Sequence, residues 1–282
     1  MRIHVIECGS MRPFGGRLWD GTTPGIGPAH LACRCLLVET EEGLVLVDTG
    51  FGLDDVNRPV PRLSRTFLVA DRIHLEADET AISRLRALGF NPRDVRHIVI
   101  THLDFDHAGG LTDFPGARVH VSAEEAAAAR RRTTPKARGR YRPAQLAHPM
   151  REYDAPGEPW FGLPTLRGLD GLPEGIFLVP LPGHTAGHCG VALDTGHGWV
   201  LHAGDAVFMH AELDEPPRMP PLASAYANFM QVDRDARLES RDRLRALARD
   251  HGEEVTILCT HDPVLPPRVL QPGPGQRILT LG

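Results

Sequence analysis

Short apolar runs recur along the chain, and each ends in a glycine or in polar residues. Runs that are rich in valine, isoleucine and leucine and are bounded by turn residues are typical of buried strands. The sequence therefore predicts strands at 1–7, 33–38, 44–47, 96–100, 117–121, 176–181, 199–202 and 255–259.

Three segments between these runs have apolar residues at helical spacing. The first covers 78–89, with Asp78 as the capping residue and Gly89 as the stop. The second begins at Ser122, where Glu125 completes a capping-box pattern. The third covers 234–251 and should turn three leucines inward: Leu238, Leu244 and Leu247. Strands with interposed helices indicate an α/β protein.

Two segments, near 51–77 and 133–172, have no clear regular pattern. Long irregular segments of compact enzymes often form lids, so we expect both to be insertions that shape a substrate site. The motifs described below are spread over nearly all 282 residues. We therefore predict a single domain over 1–282.

Four side chains that can bind metal lie within six residues, directly after the apolar run at 96–100: His102, Asp104, Asp106 and His107. Such a cluster on a loop at a strand end is typical of a functional site. Imidazole and carboxylate together suit zinc, manganese or iron, and four ligands exceed what one catalytic ion with an open position requires. The cluster indicates two metal ions.

Further ligand candidates follow other predicted strands. His184 comes after 176–181, Asp205 after 199–202, and His261 after 255–259. Asp48 follows 44–47 in the same way. Because strand ends can meet at one edge of a fold, these residues are expected to complete the same site.

This ordered succession resembles the metallo-β-lactamase superfamily. The resemblance implies a four-layer αββα sandwich with a metal site at one sheet edge. It also implies a role for each matching residue: His102, Asp104 and His184 for the first metal, Asp106, His107 and His261 for the second, Asp205 as the bridge, and Asp48 as a support that orients a ligand by hydrogen bonding.

One position departs from the common His-x-His-x-Asp-His pattern, since Asp104 stands where the second histidine is expected. A carboxylate is a harder, anionic ligand, which favours manganese or iron relative to an all-histidine site. Zinc remains the first expectation. The shorter side chain leaves a second reading open, in which the first site is weak and the protein is effectively mononuclear.

The leading functional hypothesis is hydrolysis of a small-molecule lactone or carboxylic ester, because the motifs resemble the lactonase and glyoxalase-II-like hydrolases. A water that bridges two metals becomes acidic enough to attack an electrophilic carbonyl or phosphorus. Asp106 is the candidate residue for taking or relaying a proton. Three alternatives stay open: a phosphodiesterase or nuclease, a mononuclear iron dioxygenase, and a non-catalytic metal- or ligand-binding sensor.

Composition restricts the setting and the partners. The formal charge of −5 gives no reason to expect a nucleic-acid or membrane partner, so the expected partner is a small-molecule substrate. Five cysteines are too few for a disulfide framework, so we expect a cytoplasmic protein. The family resemblance also implies a possible homodimer. The basic cluster at 130–142 is expected to be a solvated or structural face, with contact to an anionic substrate as the alternative. For His188, four residues after His184, a direct role at the site is left open.

Overall fold

The computed structural model describes residues 1–266 and 278–281. Its strands are β1 (Arg2–Met11), β2 (Leu31–Thr40), β3 (Gly43–Val47), β4 (Ile73–His74), β5 (Val95–Val99), β6 (Arg118–Ser122), β7 (Met150–Tyr153), β8 (Ile176–Pro180), β9 (Cys189–Asp194), β10 (Trp199–His202), β11 (Val255–Leu258) and β12 (Ile278–Leu281). Its α-helices are α1 (Arg17–Asp20), α2 (Leu53–Asn57), α3 (Pro59–Arg62), α4 (Arg65–Ala70), α5 (Ala81–Ala87), α6 (Ala123–Arg131), α7 (Pro135–Arg140), α8 (Pro221–Met230) and α9 (Arg234–His251).

The described strands form two sheets. The larger sheet has the order β12-β1-β2-β3-β5-β6-β7, and β4 pairs with the end of β1. The smaller sheet has the order β11-β10-β9-β8. β3, β5, β6 and β7 run parallel, as do β10 and β11. Parallel neighbours end at the same edge, which is where the ligand candidates begin.

The layers pack as a sandwich of two sheets between helices. Buried side chains of β1, β2 and β3 pack against those of β8 and β9 to form the core between the sheets. α5 and α6 cover the outer face of the larger sheet. On the outer face of the smaller sheet, α9 contributes Leu244 and Leu247. The predicted αββα fold is confirmed.

The long helix matches its prediction, whereas the 78–89 helix begins later than predicted. α9 spans Arg234–His251, although Leu238 is only half-buried. Residues Ala77–Glu79 form a tight 3₁₀ turn, and Thr80 has an extended backbone that separates this turn from α5. Asp78 therefore lies inside a turn and does not cap the helix.

The two segments expected to be irregular contain regular elements. Residues 51–77 hold α2, α3, α4 and β4, and 133–172 holds α7 and β7. These elements are too short for a periodic pattern to show, and tertiary contacts hold them in place. Within the first segment, Arg62 Nε donates to Asp55 Oδ1 at 2.6 Å in the protein interior.

The cysteines agree with the expectation that none forms a disulfide framework. All five are free and buried. Among residues 1–266 and 278–281, no helix is both long enough and apolar enough to cross a bilayer.

Candidate metal centre

Strand ends of both sheets meet at one edge of the sandwich. Asp48 follows β3, and the His102 loop follows β5, the parallel neighbour of β3. Asp205 and His261 follow the parallel pair β10 and β11. His184 follows β8. The topology therefore brings together all the residues expected at the site.

One group of donor atoms comprises His102 Nε2, Asp104 Oδ2, His184 Nε2 and Asp205 Oδ2. The Asp104 oxygen lies 3.5 Å from the His102 nitrogen and 3.1 Å from the His184 nitrogen. The Asp205 oxygen lies 3.8 Å and 3.4 Å from the same two atoms. Donors around a tetrahedral zinc with bonds of about 2.1 Å are about 3.4 Å apart. These spacings fit one ion.

A second group comprises Asp106 Oδ2, His107 Nε2, His261 Nε2 and Asp205 Oδ1. The Asp106 oxygen lies 3.7 Å from the His107 nitrogen and 3.5 Å from the His261 nitrogen. The Asp205 oxygen lies 3.3 Å and 3.2 Å from them. These spacings fit another ion, and Asp205 supplies one oxygen to each group.

Several donor atoms are buried without a hydrogen-bond partner in the described part of the chain. They are His102 Nε2, His107 Nε2 and Asp205 Oδ1. Buried polar atoms are nearly always paired in proteins, so atoms left in this state require an explanation. Divalent ions would satisfy all three.

Hydrogen bonds from the opposite ring nitrogens fix the orientation of two of the histidines. His107 Nδ1 contacts Asp48 Oδ2 at 2.7 Å, and His261 Nδ1 contacts the Ala32 carbonyl at 2.7 Å. A ring that donates through Nδ1 presents the lone pair of Nε2 to the site. Although burial raises the pKa of Asp48, the neighbouring His107 lowers it below its usual range, so the carboxylate stays ionised. Asp48 also accepts from Thr101 N at 2.8 Å.

The His188 side chain positions Asp205 by contacting the Asp205 backbone amide. Its Nδ1 contacts the Leu181 carbonyl at 3.1 Å, and its Nε2 accepts from the Asp205 amide at 2.9 Å. Both ring nitrogens are thus engaged. His188 holds the turn that carries Asp205.

The capping-box prediction at Ser122 is only half right. Ser122 Oγ accepts from the Glu125 amide at 3.2 Å, as a helix cap does. The Glu125 carboxylate does not reach back to Ser122. It accepts from Leu103 N at 2.9 Å, from Thr185 Oγ1 at 2.6 Å and from Gly187 N at 3.2 Å. Glu125 therefore ties the loop of His102 to the loop of His184.

We expect Glu125→Gln to lower the free energy of unfolding by about 1–3 kcal/mol, because the amide of glutamine would leave a buried N–H unpaired. Urea unfolding measures this change. Glu124→Gln, at the exposed neighbouring position of α6, is the matched control. Equal stability of the two variants would contradict the proposed role of the buried carboxylate.

Three members of the basic cluster at 130–142 contact different parts of the protein. Arg130 pairs with Glu152 at the surface, and Lys136 Nζ donates to the Phe229 and Gln231 carbonyls near the end of α8. Arg140 is buried beside Asp104. Sequence reasoning missed Arg140 as a site residue. The sequence did hold one indication of such a residue, because Asp104 stands where the common motif has a neutral histidine. A buried additional carboxylate requires a nearby cation.

Two other side chains near the centre were also missed. The Cys33 thiol lies within 4.8 Å of ligand atoms of Asp106 and His261. Tyr226 Oη donates to Asp71 Oδ2 at 3.1 Å, and burial raises the pKa of Asp71 to about 7. Neither belongs to a local sequence motif.

A cleft of about 810 Å³ lies near the candidate metal centre, but none of the seven ligand candidates lines it. Its walls include Asp262, which directly follows His261, and His210, whose amide donates to Asp262 Oδ2 at 2.5 Å. Its lining carries charges of both signs, because Arg17 and Arg218 are accompanied by Asp20, Asp214 and Asp262, and Arg218 pairs with Asp214. This size is typical of a small-molecule site.

The family model of the metallo-beta-lactamase superfamily matches residues 29–261. The chain belongs to this superfamily. Probable metallo-hydrolases of Mycobacterium bovis and Mycobacterium tuberculosis are each 42% identical to it over 267 residues, which is 94% of this chain and 81% of theirs. Members of the superfamily bind divalent metals, and the chain is a metal-dependent hydrolase.

Relatives with named substrates are more distant. An N-acyl homoserine lactonase of Bacillus thuringiensis is 29% identical over 264 residues, 93% of both chains. The solved structure of an N-acyl homoserine lactone hydrolase with product bound at its metal centre superposes with a TM-score of 0.65, at 23% identity and over 93% of both chains. The dizinc lactonase AidC has a TM-score of 0.61, at 16% identity, over 93% of this chain and 87% of its own. These structures share the fold of this superfamily member.

Proposed function

We propose that the protein hydrolyses a small-molecule lactone or carboxylic ester with two divalent ions, most readily zinc. The observation that carries this proposal is the pair of donor groups that share Asp205. The first ion would be held by His102, Asp104 and His184, and the second by Asp106, His107 and His261.

Two ions at these positions would supply an acidified water at neutral pH. The residues of the chain orient the metal-binding side chains and take up a proton. Asp48 and the Ala32 carbonyl hold His107 and His261 in the orientation that keeps Nε2 available. Asp106 has one carboxylate oxygen, Oδ2, in the second donor group, and its other oxygen would accept the proton that the attacking water releases.

Two considerations favour a lactone or ester over a phosphodiester. The Bacillus thuringiensis relative, named for lactone hydrolysis, aligns over 93% of both chains. In addition, Arg130, Lys136 and Arg140 of the basic cluster contact other parts of the same protein, which leaves fewer free cations for a polyanion. A small substrate fits this charge distribution better than a nucleic acid.

A substrate panel tests the proposal. Protein purified without chelator and loaded with zinc, manganese or iron is offered N-acyl homoserine lactones, simple esters, thioesters and a phosphodiester. We expect ring opening of a lactone or cleavage of an ester, together with close to two ions per chain by elemental mass spectrometry. Turnover of the phosphodiester with none of the carbonyl substrates would refute the proposal.

The setting that we propose is the cytoplasm, since the five thiols are free and buried. The homodimer that the family resemblance implies is also a proposal.

A further inference from the structure

Arg140 lies at the border of the first donor group. It is the last residue of α7, and its side chain is 1% exposed. Its Nη2 atom is 2.8 Å from Asp104 Oδ2 and 3.1 Å from His184 Nε2. Its Nη1 atom donates to the His184 carbonyl at 3.1 Å. One guanidinium thus contacts two of the residues assigned to the first ion.

The guanidinium flanks the donor group and does not fill it. Within the described residues, no contact of 4.0 Å or less joins Arg140 to Asp205, although Asp205 Oδ2 is 3.4 Å from His184 Nε2. His102 Nε2, in the same donor group, has no hydrogen-bond partner among the described residues. The guanidinium therefore lies beside the edge between Asp104 and His184 and not among all four donors. An ion bound to His184 Nε2 would replace the Arg140 contact with that nitrogen, while the contacts of Arg140 with Asp104 and the His184 carbonyl can remain.

Charge explains why an arginine lies there. A histidine in place of Asp104 would add no formal charge to the first site. Asp104 adds one negative charge in a buried place, and Arg140 adds one positive charge beside it. An arginine stays protonated in proteins, so the compensation is permanent. The pair has the same net charge as the neutral imidazole of the common pattern.

We propose that Asp104 and Arg140 act as one unit that replaces the second histidine of the common motif, with Arg140 as the positioning residue. The carboxylate supplies the donor atom, and the guanidinium neutralises it and fixes its direction. The inference rests on the metal centre of the proposed function. It does not depend on which substrate is cleaved.

The surroundings of α7 support a fixed position for this arginine. Lys136, one turn earlier on α7, donates to the Phe229 carbonyl at 2.7 Å and to the Gln231 carbonyl at 2.9 Å. Arg142, just after the helix, donates through Nε to the Arg62 carbonyl at 3.0 Å. α7 is thus held on both sides of Arg140, which places the guanidinium against the His184 loop.

The test compares four proteins with the wild type: Asp104→His, Arg140→Met, the double variant Asp104→His/Arg140→Met, and Arg138→Met as a control. Arg138 is an exposed arginine of the same helix. Zinc per chain is measured by elemental mass spectrometry at fixed chelator concentrations, and thermal unfolding is followed with and without zinc. Neither readout requires a substrate.

We expect the wild type, the control and the double variant to hold two zinc ions. Asp104→His alone should lose one, with at least about tenfold weaker binding of the first-site ion, because it leaves a buried guanidinium without its anion beside a cation. Arg140→Met should show a larger zinc-induced rise in unfolding midpoint than the wild type, because its unpaired carboxylate depends on the ion for compensation.

Retention of two tightly bound ions by Asp104→His, with no improvement in the double variant, would overturn the proposal while leaving the metal centre intact. A wild type that holds fewer than two ions would overturn both the pair and the two-ion form of the proposed function. If Asp104→His fails to fold, recovery of folding in the double variant supports the pair. If Asp104→His and the double variant both fail to fold while Arg140→Met folds and binds zinc as the wild type does, the proposed pair is refuted.

Discussion

Asp205→Ala is expected to remove both bound ions and to lower turnover by more than about 10³-fold, a larger effect than the loss of a single stabilising donor. Its two carboxylate oxygens belong to different donor groups, so one substitution damages both sites. His107→Ala should also remove metal and activity, and the ion of the second donor group should be lost first. We expect both variants to fold, because neither side chain is part of the apolar cores of the sheets.

Elemental analysis and steady-state kinetics on the same preparations measure this result. Asp250→Ala is the matched control, because Asp250 is an exposed carboxylate of α9 that pairs only with its neighbour Arg249 in the described structure. We expect the control to keep wild-type metal content and turnover. Full turnover in Asp205→Ala would rule out the two-ion mechanism.

Asp48→Asn should weaken metal binding by about 10–100-fold, the effect typical of losing a partner that orients a metal-binding histidine. Asp48 accepts from His107 Nδ1 through Oδ2 and from Thr101 N through Oδ1. An asparagine offers one acceptor and one donor group, so it cannot satisfy both contacts. If the asparagine Oδ1 still accepts from the Thr101 amide, the asparagine N–H group faces His107 Nδ1. This favours the His107 tautomer that carries its proton on Nε2, the nitrogen assigned to the metal.

Competition with a chromophoric chelator measures this loss for each equivalent of zinc. Asp94→Asn, at an exposed site just before β5, serves as the control. Activity lost in Asp48→Asn should return partly at excess zinc, which separates weaker binding from misfolding. Unchanged zinc affinity would mean that Asp48 does not set the orientation of His107.

Much of the candidate metal centre could be predicted because its signals are local. His184, Asp205 and His261 each follow an apolar run within a few residues, and a buried strand and its following loop can both be recognised in a short window of sequence. The parallel pairing of β10 and β11 then brings Asp205 and His261 to one edge. The local patterns alone indicated an α/β protein, and the resemblance that the motifs carry added the αββα fold.

The residues that sequence reasoning missed or misassigned act over long separations. Arg140 meets Asp104 across 36 positions, and Glu125 meets Thr185 across 60. Each lies in a segment whose local pattern has an ordinary explanation, a basic helix end for Arg140 and a capping box for Glu125. Only tertiary packing determines which of the neighbouring charged side chains turns inward.

The division of the ligand candidates between the two sheets also bears on how the protein unfolds. His102, Asp104, Asp106 and His107 come from a loop of the larger sheet, whereas His184, Asp205 and His261 come from loops of the smaller one. An ion bound by both sets cross-links the halves of the sandwich, much as a disulfide does. Its binding free energy adds to that of folding, so separation of the two halves would require release of the metal.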